Sequence, residues 1–511
     1  MEEPFNIVDL FLNSAKQYPN KIAIIDKNEQ ICFSEFERQV KQTALYFIHK
    51  GIKKADRVMI FVPMSIDLYR IILALFHIGA TAVFLDEWVN GKRMEECCKA
   101  AQCKAFIGIL KARVFAFFIS ELRKIPIRLG TSFSAVSESI TVDSTVHRSD
   151  TALITFTTGS TGAAKAAKRT HGFLSEQFNA LIEKIEPKPD DIDMPVLPIV
   201  LLINLGAGCT SVIAEFKASK PESMNVKKIL EQINANKVNR ITASPFFIKQ
   251  LSSYLINNTI STSSITKIFT GGAPVFPTEV ALYRKAFPET KIEIVYGSTE
   301  AEPISSINAS ELIIDNEKIL KTGLNVGIPY RKAKVRIIKI KTEPITCVNE
   351  NELNELMMPT GEIGEIIVSG PHVLNEYFNN EAALKQNKIF VDKTCWHRTG
   401  DSGYMDKNGR LFLTGRCSTL IYCGNKIIAP FIYENYFSTI EEIEMGTVMQ
   451  LNNELLVIIE LKKGSQKDEL RDRIHSVDIE FNKIKFISTI PRDPRHHSKI
   501  DYEKLKINLL K

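Results

Sequence analysis

The sequence has few cysteines, little net charge for its length and no apolar run that could cross a membrane. Its 511 residues include 9 cysteines, an odd number spread along the chain. This pattern excludes a disulfide framework and is typical of a reducing compartment. Cys97, Cys98 and Cys103 lack the spacing of a zinc site. We expect them to pack against a helix face instead.

The other shortages exclude further classes of protein. Lys and Arg (65) exceed Asp and Glu (59) by only 6, so composition indicates no nucleic-acid partner. The longest apolar stretches, residues 71–85 and 196–205, are shorter than the ~20 apolar residues that span a bilayer. The N-terminus is acidic and lacks the features of a signal peptide. We therefore expect a cytoplasmic protein with no transmembrane segment.

The overall composition is that of a large globular protein. With 44% hydrophobic and 24% charged residues, the chain is not disordered, collagenous or a coiled coil. Its length exceeds what one core holds, which predicts more than one domain. Strand-type runs alternate with helices up to residue 296, and this pattern predicts mainly parallel sheets. The predicted strands are 58–62, 80–85, 105–110, 240–243 and 292–296, and the predicted helices are 65–78, 92–101, 226–236 and 277–287.

Beyond about residue 330 the pattern changes to short strands separated by turns. Strands are predicted at 333–340, 364–369 and 410–413. Asn408-Gly409 predicts a hairpin turn, because both residues tolerate positive φ. The polar residues 342–359 predict an exposed loop or hairpin. Residues 417–511 indicate a short α+β unit.

A segment rich in glycine and hydroxyl groups follows the strand predicted at 151–156. It reads Thr157-Thr158-Gly159-Ser160-Thr161-Gly162-Ala163-Ala164-Lys165. Glycine lets backbone N–H groups approach an anion, hydroxyls donate hydrogen bonds to it, and a lysine neutralises its charge. The Gly-Lys-Ser/Thr ending of a Walker A loop is absent. Taken alone, the segment fits a phosphate loop and an ordinary surface loop equally well.

Later segments add groups suited to a nucleotide. Tyr296 ends a predicted strand and can stack on a planar ring, and Glu300 can hold Mg²⁺ beside a triphosphate. Asp401 can accept from ribose hydroxyls, and Arg416 can hold ribose or phosphate. Lys499 lies in a basic C-terminal tail. Each group alone is also explained by a strand-end turn or a solvated surface charge.

In this order and at this spacing, the five segments resemble those of the adenylate-forming acyl-activating enzymes. That superfamily includes acyl-CoA synthetases, adenylation domains of peptide synthetases and beetle luciferases, and the likeness covers about residues 9–505. It implies an α/β fold with a large N-terminal AMP-binding domain, residues 1–416, made of α/β subdomains with mixed and parallel sheets plus a small distorted β-barrel. It also implies a small mobile α+β lid, residues 417–511, hinged near Ser418.

The resemblance also implies a role for each matching residue. Thr157, Thr158, Gly159, Ser160, Thr161, Gly162 and Lys165 would hold the β- and γ-phosphates of ATP. Tyr296, Gly272 and Ala273 would bind adenine, and Asp401 and Arg416 would bind ribose. Among the catalytic residues, Thr299 would touch the α-phosphate, Glu300 would bind Mg²⁺ as the metal ligand, and Lys499 would bridge the substrate carboxylate and the α-phosphate.

The implied reaction is that of an AMP-forming acid–thiol ligase. ATP and Mg²⁺ would activate a small-molecule carboxylic acid as acyl-adenylate, and the acyl group would pass to CoA or to the phosphopantetheine of an acyl carrier protein. The apolar residues 196–202, which lack the family's usual His or aromatic after the proline, favour an alkyl chain and hence a fatty acid. Ala164 and Ala166 depart from the family's usual Pro and Gly without removing a phosphate ligand.

Two alternatives remain open at the level of the sequence. Segments at 73–79, 105–109, 375–379 and 495–500 are similar to bacterial olefin β-lactone synthetases, which adenylate a long-chain β-hydroxy acid and close a lactone without CoA. The other alternative is a non-catalytic relative that binds an acyl group or nucleotide. Retention of Lys165, Glu300, Asp401, Arg416 and Lys499 disfavours this second alternative.

Overall fold

The computed structural model describes most of the chain. The described residues are 3–85, 91–136, 145–158, 164–217, 220–262, 264–312, 318–424, 426–465, 470, 473–474, 477, 479–492 and 499–510. These residues form five β-sheets. No helix among them is both long and apolar enough to cross a membrane.

The N-terminal part of the chain builds the first sheet and also supplies β1 and β2 of the second sheet. Its elements are α1 Val8–Gln17, β1 Ile22–Asp26, β2 Glu29–Cys32, α2 Phe33–His49, β3 Arg57–Phe61, α3 Ile66–His77, β4 Thr81–Phe84, α4 Gly91–Ala101, β5 Ala105–Gly108, α5 Leu110–Ala116, α6 Ser120–Arg123, β6 Ile127–Leu129, β7 Thr151–Thr158 and β8 Ala164–Thr170. The strand order is β6-β5-β3-β4-β7-β8, parallel except for the antiparallel pair β7–β8. Helix α3 begins where the Ser65 hydroxyl accepts from the Leu68 N–H.

The middle of the chain builds a second, nine-stranded sheet. Its elements are α7 His171–Ile185, β9 Ile192–Pro195, α8 Pro198–Ala207, β10 Thr210–Ile213, α9 Val226–Ala235, β11 Arg240–Ala243, α10 Pro245–Asn257, β12 Lys267–Gly271, α11 Pro277–Ala286, β13 Lys291–Ser298, β14 Ala301–Asn308, β15 Leu324–Asn325 and β16 Ile328–Pro329. The order is β16-β14-β13-β12-β11-β9-β10-β1-β2, with β15 excluded. The inner strands from β13 to β1 are parallel, as βαβ alternation requires.

The buried cores lie between these sheets and their helices. Phe247 and Tyr283 are fully buried in one apolar cluster that fills the space between α10, α11 and the nine-stranded sheet. A second cluster joins Phe36 and Leu75 of the N-terminal helices to Ile24 on β1. Because β1 belongs to the second sheet and α3 to the first, this cluster holds the two layers together.

A third sheet and a C-terminal unit follow. Their elements are β17 Lys334–Ile338, α12 Glu350–Asn354, β18 Gly364–Ser369, α13 Glu381–Asn387, β19 Lys388–Val391, β20 Thr394–Met405, β21 Leu411–Arg416, β22 Ile421–Cys423, β23 Lys426–Ile428, α14 Pro430–Phe437, β24 Ile443–Leu451, β25 Glu454–Leu461, β26 Lys483–Ile487 and α15 Tyr502–Leu510. The third sheet, β15-β21-β20-β18-β17 with β19 on β20, is antiparallel throughout. Strands β24, β25 and β26 form a separate sheet with its own apolar cluster.

The predicted mixed α/β fold is confirmed, and most predicted elements match within one or two residues. The strand predicted at 240–243 coincides with β11, and the helix predicted at 277–287 is α11. The strand predicted at 105–110 is too long, because Leu110 begins α5. Cys97 and Cys98 are buried on α4, as expected from packing on a helix face. The domain boundary at 416/417 stays a prediction.

Three predictions about loops are wrong in detail. Lys165 lies on β8 rather than in a loop, and β13 continues to Ser298, so that Thr299 and Glu300 form a tight turn. Both segments are strands because they pair with a neighbouring antiparallel strand, which overrides the local preference of Gly, Ser and Thr. Residues 342–359 contain α12, and three of their apolar side chains are buried: Ile345, Cys347 and Leu353.

The hairpin predicted at Asn408-Gly409 forms, but in a different way. Gly409 has a φ of +75°, whereas Asn408 is not among the residues with positive φ. The Asp406 carboxylate accepts from the N–H groups of Asn408 and Arg410, both at 2.9 Å. The turn is therefore shaped by the aspartate and one glycine rather than by two left-handed residues.

Candidate functional site

Part of the site lies at the carboxyl ends of the parallel strands β12 and β13. Gly271 pairs with Val295 between these strands. A Cβ atom at Gly271 would lie 2.3 Å from the Val295 carbonyl oxygen, so only glycine fits. Gly272 follows with a φ of +83°, and Ala273 is half-buried. Ligands of open α/β sheets bind outside such strand ends.

The backbone carbonyls of the turn between β13 and β14 accept two hydrogen bonds from other parts of the chain. The Leu374 N–H donates to the Glu300 carbonyl oxygen at 2.7 Å. The Arg169 guanidinium donates to the Thr299 carbonyl oxygen at 3.1 Å. These bonds fix the position of a two-residue turn that carries both predicted side chains.

Tyr296, Asp401 and Arg416 form one hydrogen-bonded cluster. The Tyr296 hydroxyl donates to Asp401 Oδ2 at 2.7 Å, and Arg416 Nη1 lies 2.6 Å from Asp401 Oδ1. Asp401 and Arg416 face each other in the β20–β21 ladder. The Asp401 charge raises the pKa of the Arg416 guanidinium, and burial, then Asp401, raises the pKa of the Tyr296 hydroxyl. Arg416 is therefore held as a cation and Tyr296 as a neutral donor.

A second cluster surrounds Glu300. The Tyr377 hydroxyl donates to Glu300 Oε1 at 3.1 Å. Lys388 Nζ donates to the Leu374 carbonyl oxygen and lies 5.6 Å from the centre of the Tyr377 ring. The Lys388 side chain is 2% exposed, and this burial lowers its pKa to about 8, although the charges of Cys395 and Glu300 act in the opposite direction. The cluster thus places a buried cation behind the carboxylate.

Lys165 lies near the same carboxylate. On β8 it pairs with Thr157 of β7, and its Nζ donates to Asn387 Oδ1 at 2.9 Å. Lys165 is 9% exposed; burial lowers its pKa, whereas the Glu300 charge raises it. Asn387 ends α13 and Lys388 begins β19. These two adjacent residues therefore contact Lys165 of the antiparallel pair β7–β8 and the Glu300 cluster.

Some predicted residues have no described side chain. Thr157 and Thr158 end β7. The other predicted phosphate ligands in this segment, Gly159, Ser160, Thr161 and Gly162, lie outside the described residues. The role of all these residues in phosphate binding stays a prediction.

Lys499 lies on the C-terminal unit and is exposed. The next residue, Ile500, forms a β-bridge with Arg492. Helix α15 begins at Tyr502, whose hydroxyl donates to the Glu434 carboxylate of α14. The segment that carries Lys499 is thus anchored to the C-terminal sheet and helix. The approach of Lys499 to the other site residues stays a prediction.

The donors of the two clusters suit a nucleotide and a magnesium ion. A phenol, a carboxylate and a guanidinium meet at Asp401, where a nucleoside offers a ring and hydroxyls. Glu300 offers hard carboxylate oxygens close to the buried Lys165. Mg²⁺ is usually held by one or two carboxylates together with substrate phosphates. A single glutamate fits this pattern, and the described residues contain no group of three His, Cys, Asp or Glu that could hold a metal alone.

The sequence did not identify three residues of the Glu300 cluster. Tyr377 lies in segment 375–379, whose one signal in the sequence is a likeness to olefin β-lactone synthetases. Asn387 and Lys388 carry no motif, although a lysine that begins the apolar run Lys388–Val391 is a signal. The number of lysines on such strands is small, because burying an ammonium group is costly.

Comparisons with known proteins place these features in context. The sequence matches the family of AMP-binding enzymes over residues 11–378. The olefin β-lactone synthetase of Stenotrophomonas maltophilia is 26% identical over 99% of this chain and 98% of its own length. The putative acyl-CoA ligase YdaB of Bacillus subtilis is 24% identical over 92% and 93%. The structure of O-succinylbenzoate CoA synthetase (MenE) from Bacillus subtilis, in complex with ATP and magnesium ion, aligns over both whole chains with a TM-score of 0.80 at 21% identity.

Proposed function

The chain belongs to the family of AMP-binding enzymes, and from this premise we propose that it activates a fatty acid and transfers it to a thiol. In the first step, a carboxylate oxygen of the acid attacks the α-phosphorus of ATP, and pyrophosphate leaves. In the second, the thiolate of CoA or of a carrier protein's phosphopantetheine attacks the acyl carbon, and AMP leaves. The chain is thus an AMP-forming ligase of the adenylate-forming kind.

The main observation behind the proposal is that the Asp401 cluster and the Glu300 cluster lie near the same end of β13. The ribose-binding candidates Asp401 and Arg416 are tied to Tyr296 at one end of β13. Two residues after that strand, Glu300 is tied to Tyr377 and lies close to Lys165. A nucleoside would occupy the first cluster while its phosphates and Mg²⁺ occupy the second. When bound, Mg²⁺ would neutralise phosphate charge.

The charges favour a reaction between two anions. A carboxylate and a triphosphate repel each other, so cations fixed where negative charge develops supply the largest share of the rate enhancement. Lys165 and Arg416 are such cations. Lys499 would supply a third from the C-terminal unit, which we propose moves as a lid about a hinge near Ser418.

A buried apolar cluster on the strand that ends at Gly271 agrees with an alkyl substrate. Val200 and Ile203 of α8 pack against Phe269 of β12, and Phe178 of α7 lies against the same cluster. Strand β12 leads directly to Gly271. An amino-acid substrate would instead need an acidic partner for its ammonium group.

The test is pyrophosphate release with purified protein, ATP, Mg²⁺ and a panel of short-, medium- and long-chain acids, with and without CoA. The proposal predicts release with at least one apolar acid and stoichiometric formation of AMP and acyl-CoA. Release only with hydrophilic acids would contradict the fatty-acid assignment. Absence of release with every acid would contradict adenylation itself.

A second candidate is β-lactone formation from a β-hydroxy acid. The observation in its favour is the 26% identity to an olefin β-lactone synthetase over nearly the full length of both chains. Here the substrate's own hydroxyl would attack the acyl-adenylate carbonyl and expel AMP. The two candidates separate cleanly, because this reaction forms AMP from a 3-hydroxy acid without CoA, whereas stoichiometric consumption of CoA excludes it.

A further inference from the structure

The segment from Leu110 to Phe118 exposes an unusual amount of apolar surface. Leu110 is 71% exposed, Phe117 60% and Phe118 79%, and two further apolar residues of the segment, Val114 and Phe115, are also exposed. Such contiguous apolar surface on a folded protein usually marks an interaction site. The segment lies outside both clusters of the candidate site.

Helix α5 buries small side chains and exposes large apolar ones, which is the reverse of the usual amphipathic pattern. Ala116, which is buried, and Ala112, which is half-buried, face the core of the first sheet. Leu110 and Val114, four residues apart on the helix, share the opposite face and are exposed. The exposed Phe118 follows two residues after the helix ends. Packing accounts for the two alanines but not for the large residues outside.

Basic side chains surround this apolar face. Residues 110–128 contain five Lys or Arg and one acidic residue: Lys111, Arg113, Arg123, Lys124 and Arg128 against Glu121. Glu121 is paired with Lys124 at 2.6 Å. The Arg128 guanidinium lies 5.7 Å from the centre of the Phe117 ring. Glu95 of α4 accepts from the Ser120 hydroxyl at 2.9 Å. Residues 110–128 therefore carry a net positive charge.

We propose that this face, Leu110–Arg128, docks the protein on an anionic phospholipid membrane. Leucine and phenylalanine side chains would enter the boundary between headgroups and acyl chains. The lysines and arginines would stay at the level of the phosphates and be attracted by them. A neutral apolar partner would not require the surrounding cations. The proposal concerns peripheral binding and does not depend on the reaction assigned above.

The test is co-sedimentation of the full chain with phospholipid vesicles. Vesicles of phosphatidylcholine with about 30% phosphatidylglycerol should bind the protein, and pure phosphatidylcholine should bind it weakly. Phe118→Gln should lower the partition coefficient about tenfold, since one inserted aromatic ring is lost. The matched control Phe390→Gln removes an exposed phenylalanine on β19 and should leave partitioning unchanged.

A charge-reversal pair tests the electrostatic part. Lys111→Glu should weaken binding about tenfold at low salt and much less at about 0.5 M salt. Lys285→Glu, at an exposed position of α11, should have no effect. Absence of binding to anionic vesicles, or equal losses in the test and control variants, would overturn the proposal. So would a wild-type dimer that Phe118→Gln dissociates without any vesicle binding, because the face would then belong to a second copy of the chain.

Discussion

The buried Lys388 gives a prediction that the structure makes quantitative. The residue is 2% exposed, and burial lowers the pKa of its ammonium group from the ordinary value of 10.5 to about 8. Between these two pH values the unfolded chain holds a proton on Lys388 that the folded chain has released. The contribution of Lys388 to the free energy of unfolding therefore rises with pH across this window and is flat on either side of it. A shift of this size corresponds to about 3 kcal/mol.

Lys388→Met removes this dependence while filling similar space. At pH 7 the variant loses the cost of a buried charge but leaves the Leu374 carbonyl without its donor, and these effects are opposite in sign and each about 1–3 kcal/mol. We therefore expect the two proteins to differ little at pH 7. Between pH 7.5 and 10.5 the wild type should gain about 3 kcal/mol relative to the variant.

The assay is urea denaturation of both proteins across this pH range, followed by a spectroscopic signal. Lys385→Met, at an exposed position of α13 three residues earlier, is the control and should leave the pH slope unchanged. A difference between wild type and Lys388→Met that stayed constant from pH 7.5 to 10.5 would contradict the lowered pKa of Lys388. An equal change of slope in Lys385→Met would also contradict it.

Three further predictions concern the reaction. Asp401→Ala removes the shared partner of Tyr296 and Arg416 and should raise the KM for ATP more than that for the acid; steady-state kinetics that show an unchanged KM for ATP would argue against nucleoside binding there. Glu300→Gln keeps an oxygen for the Tyr377 hydroxyl but loses the charge, so half-maximal activity should need about tenfold more Mg²⁺; a Mg²⁺ titration identical to wild type would contradict this role. Lys499→Ala should abolish adenylation yet leave thiol transfer from preformed acyl-adenylate partly intact, and equal loss in both half-reaction assays would contradict its role on the lid.

The parallel core could be predicted because its signals are local. The short strand-type run at 240–243 predicts β11. Pro277, a residue common at the first position of a helix, predicts the start of α11. The ends of strands could not be predicted where pairing decides them. Gly297 and Ser298 have the composition of a loop, yet Ser298 pairs with Ala301 and extends β13 to the turn.

The same contrast between local signals and long-range contacts applies to the candidate site. Asp401 and Arg416 are 15 residues apart on one hairpin, so their motifs indicate a pair. The contact of Tyr296 with Asp401 spans 105 residues and depends on how two sheets pack. Lys388 was missed because its importance comes from burial beside Tyr377, which no motif records.

Acid-dependent exchange of labelled pyrophosphate into ATP, in the absence of any thiol, shows whether the protein forms an acyl-adenylate. This exchange reports formation and reversal of acyl-adenylate alone, whichever acceptor follows. We expect exchange with at least one apolar acid, its loss in Lys499→Ala and its reduction in Asp401→Ala. Absence of exchange with every acid tested, or full exchange in both variants, would contradict the account.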